Sequence, residues 1–248
     1  MTISADHRRF LQQAGWTASL RAHLLSRAHW ENAHAVLEVG CGTGAILQGL
    51  AAAGTKLVAG VDINPARLAE ARQAASRASL ICADGLQLPF ADRSFDLAVC
   101  HFYLLWVSDA LLALQEMRRV TRPGGMVLAL AEPDYTHRID LPAGLERLGA
   151  LQTRALRAQG ADPGVGARLP SLCMRAGLRK VFSGLVGGEW TAGTVPDGWQ
   201  EEWETLERDL KGCLPDEELK LLKKQDERAW QKGERVLYVP TFYAGGVV

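Results

Sequence analysis

The stretch Val36-Leu37-Glu38-Val39-Gly40-Cys41-Gly42-Thr43-Gly44 constrains this chain more than any other. Four mostly apolar residues suit a buried strand and run directly into glycines at alternate positions. Residues 45–50 then read as the start of a helix. A strand that turns into a helix through glycines presents backbone to a ligand. The missing Cβ atoms let the ligand approach, and the first turn of the helix leaves N–H groups unpaired. Such a turn fits a nucleotide-like ligand, and the rest of the chain must say which one.

The chain in order predicts an α/β sheet. Residues 1–34 read as an amphipathic helical segment packed over one end of that sheet. Thr17 is expected to cap a helix that buries Leu20, Leu24 and Leu25, and Trp16 and Arg21 are candidates to close the ligand pocket. Residues 57–62 form a second buried strand ending in Asp62, and Asn64-Pro65 opens the next helix as cap and first-turn residue. Short strands at 80–84 and 94–100, a helix at 109–120 and a strand at 126–131 continue the alternation. That alternation predicts a parallel sheet covered on both faces. Beyond residue 134 come two helices, at 141–160 and 165–176, and a sixth strand at 178–188. A Trp-rich helical stretch and a seventh strand at 237–243 follow. The expected organisation is an N-terminal helical segment (1–34), a core (35–190 and 233–248) and a helical cap (191–232) that belongs to the same domain.

Composition excludes several classes. Lys plus Arg and Asp plus Glu number 28 each, so no global field draws the chain to nucleic acid or an anionic membrane. The five cysteines form no CxxC pair, and the six histidines are dispersed, so no metal site is expected. No apolar run reaches the length of a membrane span, and the charged first residues lack a signal-peptide core. These features predict a soluble, cytoplasmic protein.

Gly40-x-Gly42-x-x-Ala45 also fits a dinucleotide fingerprint, so the neighbouring residues must discriminate. Glu38 would repel a pyrophosphate and suits a ligand carrying positive charge. Gly44 extends the glycine spacing. Asp62, about 20 residues on, suits ribose hydroxyls. Asp84 can accept a hydrogen bond from an adenine amine. The three acids fall at successive strand ends, where open parallel sheets bind ligands.

The string 36–44, with Asp62, Ala83-Asp84, Phe95-Asp96 and Pro123-Gly124-Gly125, resembles the class I S-adenosylmethionine-dependent methyltransferases, closest to the small-molecule type known as methyltransferase domain 11. The resemblance spans roughly residues 35–135. It implies a Rossmann-like, seven-stranded sheet in the order 3-2-1-4-5-7-6, with strand seven antiparallel. It also implies S-adenosyl-L-methionine as cofactor and S-adenosyl-L-homocysteine as product. By the same resemblance the turn of Gly40, Cys41, Gly42 and Gly44 would hold the aminoacyl part, supported by Glu38. Asp62 would bind the ribose, Ile63 would pack on adenine, and Asp84 and Gly85 would meet the adenine edge. His101 would lie beside the methionine moiety or the acceptor.

Methyl transfer needs alignment and a dry pocket, plus a base if the acceptor is protonated. His101 and His137 are the candidate bases, and Tyr103, Glu132, Asp134 and Tyr135 the candidate acceptor-pocket residues. No Asn/Asp-Pro-Pro-aromatic string follows strand four and no Pro-Cys occurs there, which argues against nucleic-acid amino or pyrimidine C5 methylation. The expected acceptor is a small, partly apolar molecule with an O, N, S or C nucleophile. An NAD(P)-dependent oxidoreductase and a non-catalytic S-adenosylmethionine-binding module remain as alternatives.

Overall fold

The computed structural model describes residues 4–52 and 57–248, so the first three residues of the expected N-terminal segment lie outside it. Helix α1 (Ala5–Trp16) starts at Ser4, whose side chain accepts a hydrogen bond from the His7 amide. Helix α2 (Ala18–Arg27) buries Leu24 and Leu25, as the periodicity predicts. Thr17 stands at the N-cap of α2 as expected, but its hydroxyl makes no capping hydrogen bond and lies 2.8 Å from His101 Nε2 instead. Strand β1 (Ala35–Val39) is buried at every position. After the glycine turn come α3 (Leu47–Ala52), β2 (Leu57–Asp62) and α4 (Pro65–Ala74). Asn64 caps α4 by accepting from the amides of Ala66 and Arg67, with Pro65 in the first turn. Strands β3 (Ser79–Cys82) and β4 (Phe95–Cys100) follow, then α5 (Ala110–Val120), capped by Asp109, and β5 (Thr121–Pro133).

The second half holds β6 (Ile139–Leu141), α6 (Glu146–Ala158), α7 (Val165–Arg175) and β7 (Arg179–Leu185). It ends with α8 (Trp199–Asp209), α9 (Asp216–Gln231), β8 (Val236–Tyr238) and β9 (Thr241–Val247). The large sheet has the order β3-β2-β1-β4-β5-β9-β7, with β9 antiparallel to both neighbours. Counting only its own strands, this is 3-2-1-4-5-7-6. The expected strand at 237–243 is two strands, since Pro240 has no N–H for a ladder and interrupts the run. β8 turns away to pair with β6, and β9 begins after Pro240 and runs on to Val247.

Alternation along β1 divides the core. Leu37 and Val39 pack with Leu114 and Met117 of α5 and Leu169 of α7. Val36 faces the other side, with Leu24 of α2, Leu47 of α3 and Leu68 of α4. A third cluster joins Leu148 and Leu151 of α6 to Trp203 and Leu206 of α8 and Leu222 of α9. Met174 is 67% exposed, on the outer face of α7. β1, β2, β3 and β4 run parallel, so their C-terminal ends open along one edge, and the strand-end acids meet there.

Candidate active site

Gly40, Gly42 and Gly44 have φ of +72°, +51° and +83°, a left-handed path that other residues adopt at a cost. The amides of Gly40 and Cys41 donate to the Val61 carbonyl at 2.8 and 3.0 Å, tying the turn to β2. Asp62 ties it from the other side: Oδ2 accepts from the Gly42 amide and Oδ1 from the Asn64 amide, both at 2.8 Å. Two members of the turn do other work than expected. Gly44 lies off the cavity wall and lets α4 pack close, since a Cβ there would stand 3.2 Å from Ala71. Cys41 sends its sulfur under the turn against Gly60, and burial pushes its thiol up, so any ligand contact is through backbone.

A cavity of about 810 Å³ opens at these strand ends, near the top of the roughly 300–1,000 Å³ usual for small-molecule sites. Glu38, Gly40, Gly42 and Asp62 line one wall, continued by Ile63, Asp84 and Gly85. Glu38 is 2% exposed, and its Oε2 has no hydrogen-bond partner. Burial pushes its carboxyl well above the ordinary range, Arg21 opposes the shift and Asp62 adds to it. An unpartnered buried carboxylate oxygen at a cavity wall is a site for a cationic donor. Ile63 is 69% exposed, an apolar face of the kind a planar base would cover. Asp84 spends Oδ1 on the Leu86 amide at 2.9 Å.

Helix α1 closes the cavity over the glycine turn. His7 Nδ1 lies 2.7 Å from Thr43 Oγ1, and Phe10 sits so close to Gly42 that a Cβ there would be 2.9 Å from its ring. Arg9, Phe10 and Gln13 therefore face the cavity, and the two residues expected to close it do not. Trp16 is 52% exposed and stacks under Arg9. Arg21 donates to the Ala14 carbonyl and the Thr17 hydroxyl, at 2.9 and 3.2 Å. His101 does line the cavity, with Nε2 2.8 Å from the Thr17 hydroxyl. Burial, assisted by Arg21, lowers its pKa to about 3, so the ring is neutral at physiological pH.

A family model described as a methyltransferase domain matches residues 37–129, the segment that carries β1 to β5 and this wall. Residues 37–129 are therefore similar to a methyltransferase domain. Malonyl-[acyl-carrier protein] O-methyltransferase of Erwinia pyrifoliae is 39% identical over 121 residues, 49% of this chain and 46% of that protein. Demethylmenaquinone methyltransferase of Staphylococcus aureus is 39% identical over 99 residues, 38% of this chain and 41% of that protein. The chain spans about half the length of the curated relatives it matches. Among solved structures, YcgJ of Bacillus subtilis superposes with a TM-score of 0.60 at 17% identity, covering 93% of this chain and 98% of that one. Phosphoethanolamine N-methyltransferase 2 of Haemonchus contortus, solved with S-adenosyl-L-methionine, gives 0.54 at 14% identity over 86% of this chain and 48% of that one. At such identities the likeness establishes the fold.

Three of the acceptor-side candidates lie off the cavity wall. Glu132 is fully buried, and its oxygens accept from the amides of Tyr103, Leu104 and Leu105 at 2.9, 3.1 and 3.3 Å. It clamps the loop after β4 and does not reach the cavity. Asp134 is also buried. It accepts from the Thr136 amide and hydroxyl at 2.9 and 2.5 Å, and so ends β5 in a short 3-10 turn. Burial raises its carboxyl, but the hydrogen bonds from Thr136 and His137 outweigh this and hold it low. His137 lies outside the cavity wall, its ring 3.1 Å from Asp134 and 69% exposed. Tyr103 and Tyr135 do line the cavity.

Sequence reasoning missed the opposite wall. Gln152, Leu156 and Gln159 of α6 and Thr205, Arg208 and Asp209 of α8 complete the cavity, with Arg9 reaching across to Glu202 of α8. Helical periodicity marks such residues as lying off the buried stripe, but it does not say whether they meet solvent or a cavity. The tryptophans of the cap face the other way. Trp199 and Trp203 donate to Asp226 Oδ2 at 2.6 and 2.9 Å. Arg235 donates to Asp226 Oδ1 at 2.5 Å and to Asp140 Oδ1 at 2.7 Å. This buried network fastens the cap helices to the β6–β8 ribbon, and no aromatic acceptor is called for by the tryptophans. Among the described residues no cluster of His, Cys, Asp or Glu could hold a metal, and no helix is long and apolar enough to cross a membrane.

Proposed function

We propose that this chain transfers a methyl group from S-adenosyl-L-methionine to a small acceptor admitted between α1, α6 and α8. One observation carries the reading: the unpartnered, buried Glu38 oxygen faces the same cavity as Asp62 and Asp84, each at the end of its own strand. A dinucleotide would bring a pyrophosphate to the turn beside Glu38, where like charges at low dielectric repel. A zwitterionic aminoacyl group brings an ammonium instead, and Glu38 accepts its hydrogen bond. Asp62 retains lone pairs for ribose hydroxyls beyond the two amides it already accepts. Ile63 covers one face of the adenine, and the free Oδ2 of Asp84, with the Gly85 backbone, meets the adenine edge. Cys41 and Gly42 offer backbone to the aminoacyl part.

When bound, the cofactor supplies a methyl group already activated on a sulfonium. The chain's residues then supply position and exclusion of water. Held geometry contributes on the order of 7–11 kcal/mol to a bimolecular step. α1 covers the turn, and Glu132 holds the loop that carries His101, so both walls around the transfer point are fixed. His101 lines that point as a neutral group hydrogen-bonded to Thr17, which suits orienting an acceptor better than removing its proton. The acceptor wall is polar, with Arg9, Gln152, Gln159, Arg208 and Asp209, and it fits an acceptor with hydrogen-bonding or charged groups. The relatives named for malonyl-[acyl-carrier protein] and demethylmenaquinone differ in acceptor from each other, so neither acceptor passes to this chain by similarity.

Calorimetric titration with S-adenosyl-L-homocysteine and, separately, with NAD and NADP tests the reading. Saturable binding of the first with none of the others is expected. Binding of a dinucleotide in its place would refute it.

A further inference from the structure

Tyr103 stands where the cavity floor crosses from the turn after β1 to the turn after β3. A Cβ added to Gly40 would stand 2.3 Å from the edge of the Tyr103 ring, and one added to Gly85 would stand 2.1 Å from its hydroxyl. The side chain therefore lies flat along the row of strand ends, from the glycine turn to Asp84-Gly85. Gly40 and Gly85 make room for this ring, so a ligand in the cavity meets Tyr103 there as well as bare backbone. The Tyr103 hydroxyl is buried and has no hydrogen-bond partner in the protein.

The backbone beneath it is fixed. Glu132 accepts from the Tyr103, Leu104 and Leu105 amides, and Phe102 is held at φ +50°, a conformation unusual for a bulky residue. A buried hydroxyl without a partner is destabilising, and one held in place at a cavity wall is a pre-organised donor awaiting an acceptor. Burial pushes the phenol above its ordinary value, and the nearby Cys100, Asp84 and Glu132 add to this, so it keeps its proton.

We propose that Tyr103 is a cofactor-binding residue whose hydroxyl donates to a polar atom of the adenosine part, at the Asp84–Gly85 end of the cavity. The inference rests on the S-adenosylmethionine reading of the site.

The test is calorimetry of the wild-type chain and Tyr103→Phe with two probes, S-adenosyl-L-homocysteine and 5′-methylthioadenosine, which lacks the aminoacyl part. A neutral hydrogen bond corresponds to a factor of about 3–10 in affinity. Both probes should bind Tyr103→Phe about 3- to 10-fold more weakly. The unliganded variant should melt at or above the wild-type temperature, since the change deletes an unpaired buried hydroxyl and keeps the ring. Equal or tighter binding of both probes by the variant would overturn the assignment. So would a loss confined to S-adenosyl-L-homocysteine, which would place the hydroxyl at the aminoacyl end. A wild-type chain that binds neither probe would refute the cofactor reading itself, a result distinct from either of these.

Discussion

Glu132→Gln separates a loop clamp from an acceptor-site acid. Glu132 is fully buried, and its carboxyl is pushed from 4.5 to about 7 by burial, with the amides of Leu104, Tyr103 and Leu105 pulling the other way. The folded protein thus holds this proton more tightly than the unfolded chain. The group's contribution to stability is fully present below about pH 4.5 and is lost as pH rises through about 7. The gap between those two values corresponds to on the order of 3 kcal/mol. Glutamine does not titrate. It keeps one oxygen for two of the amides but turns an NH₂ toward the third, which costs about 1–3 kcal/mol at any pH. Urea unfolding of both proteins at pH 4.5 and 8.5 should show wild type well ahead of the variant in acid. That lead should shrink by on the order of 3 kcal/mol in base. A difference that is independent of pH, or that widens as pH rises, would refute the burial argument.

Other perturbations address the remaining parts of the site. Asp62→Ala should weaken S-adenosyl-L-homocysteine binding by about 1–3 kcal/mol, because the Gly42 amide and the ribose lose an acceptor together, and calorimetry reads this directly. The His101 ring resonances should not titrate between pH 5 and 8, since burial and Arg21 hold its pKa at about 3, and an NMR midpoint near 6.5 would contradict this. Asp226→Ala should cost about 3–5 kcal/mol in thermal or urea unfolding, because it strips a buried partner from Arg235 and from two indole N–H groups.

Much of the fold was legible because the signals were local. The apolar runs of β1, β2 and β4, the Asn64-Pro65 start of α4 and the Asp109 cap of α5 need no tertiary information. That Glu38, Asp62 and Asp84 share one cavity wall was legible too, since strand ends in a parallel sheet converge wherever the sheet is parallel. What escaped depends on which way an element faces. An acid at the end of β5 looks the same in sequence whether it enters the crevice or turns back to the loop after β4, and Glu132 turns back. The Trp-rich stretch does not show in sequence which way its indoles face, and buried Asp226 draws Trp199 and Trp203 into the cap's own core. The N-terminal segment showed an amphipathic pattern but not its partner, and so Phe10 over Gly42 and His7 on Thr43 could not be anticipated. Pro240, which has no N–H for a ladder, marks the point where β8 leaves for β6 and β9 begins.

The central claim is that Glu38 waits, unpartnered and buried, for the ammonium of an adenosine-bearing ligand without phosphate. Titration of S-adenosyl-L-homocysteine into wild type and Glu38→Gln tests it most directly. Loss of a hydrogen bond between charged groups, about 1.5–3 kcal/mol, predicts roughly 10- to 150-fold weaker binding to the variant. Deletion of the ligand's amino group should then cost wild type far more than it costs Glu38→Gln. Equal affinity of the two proteins for S-adenosyl-L-homocysteine would contradict the account.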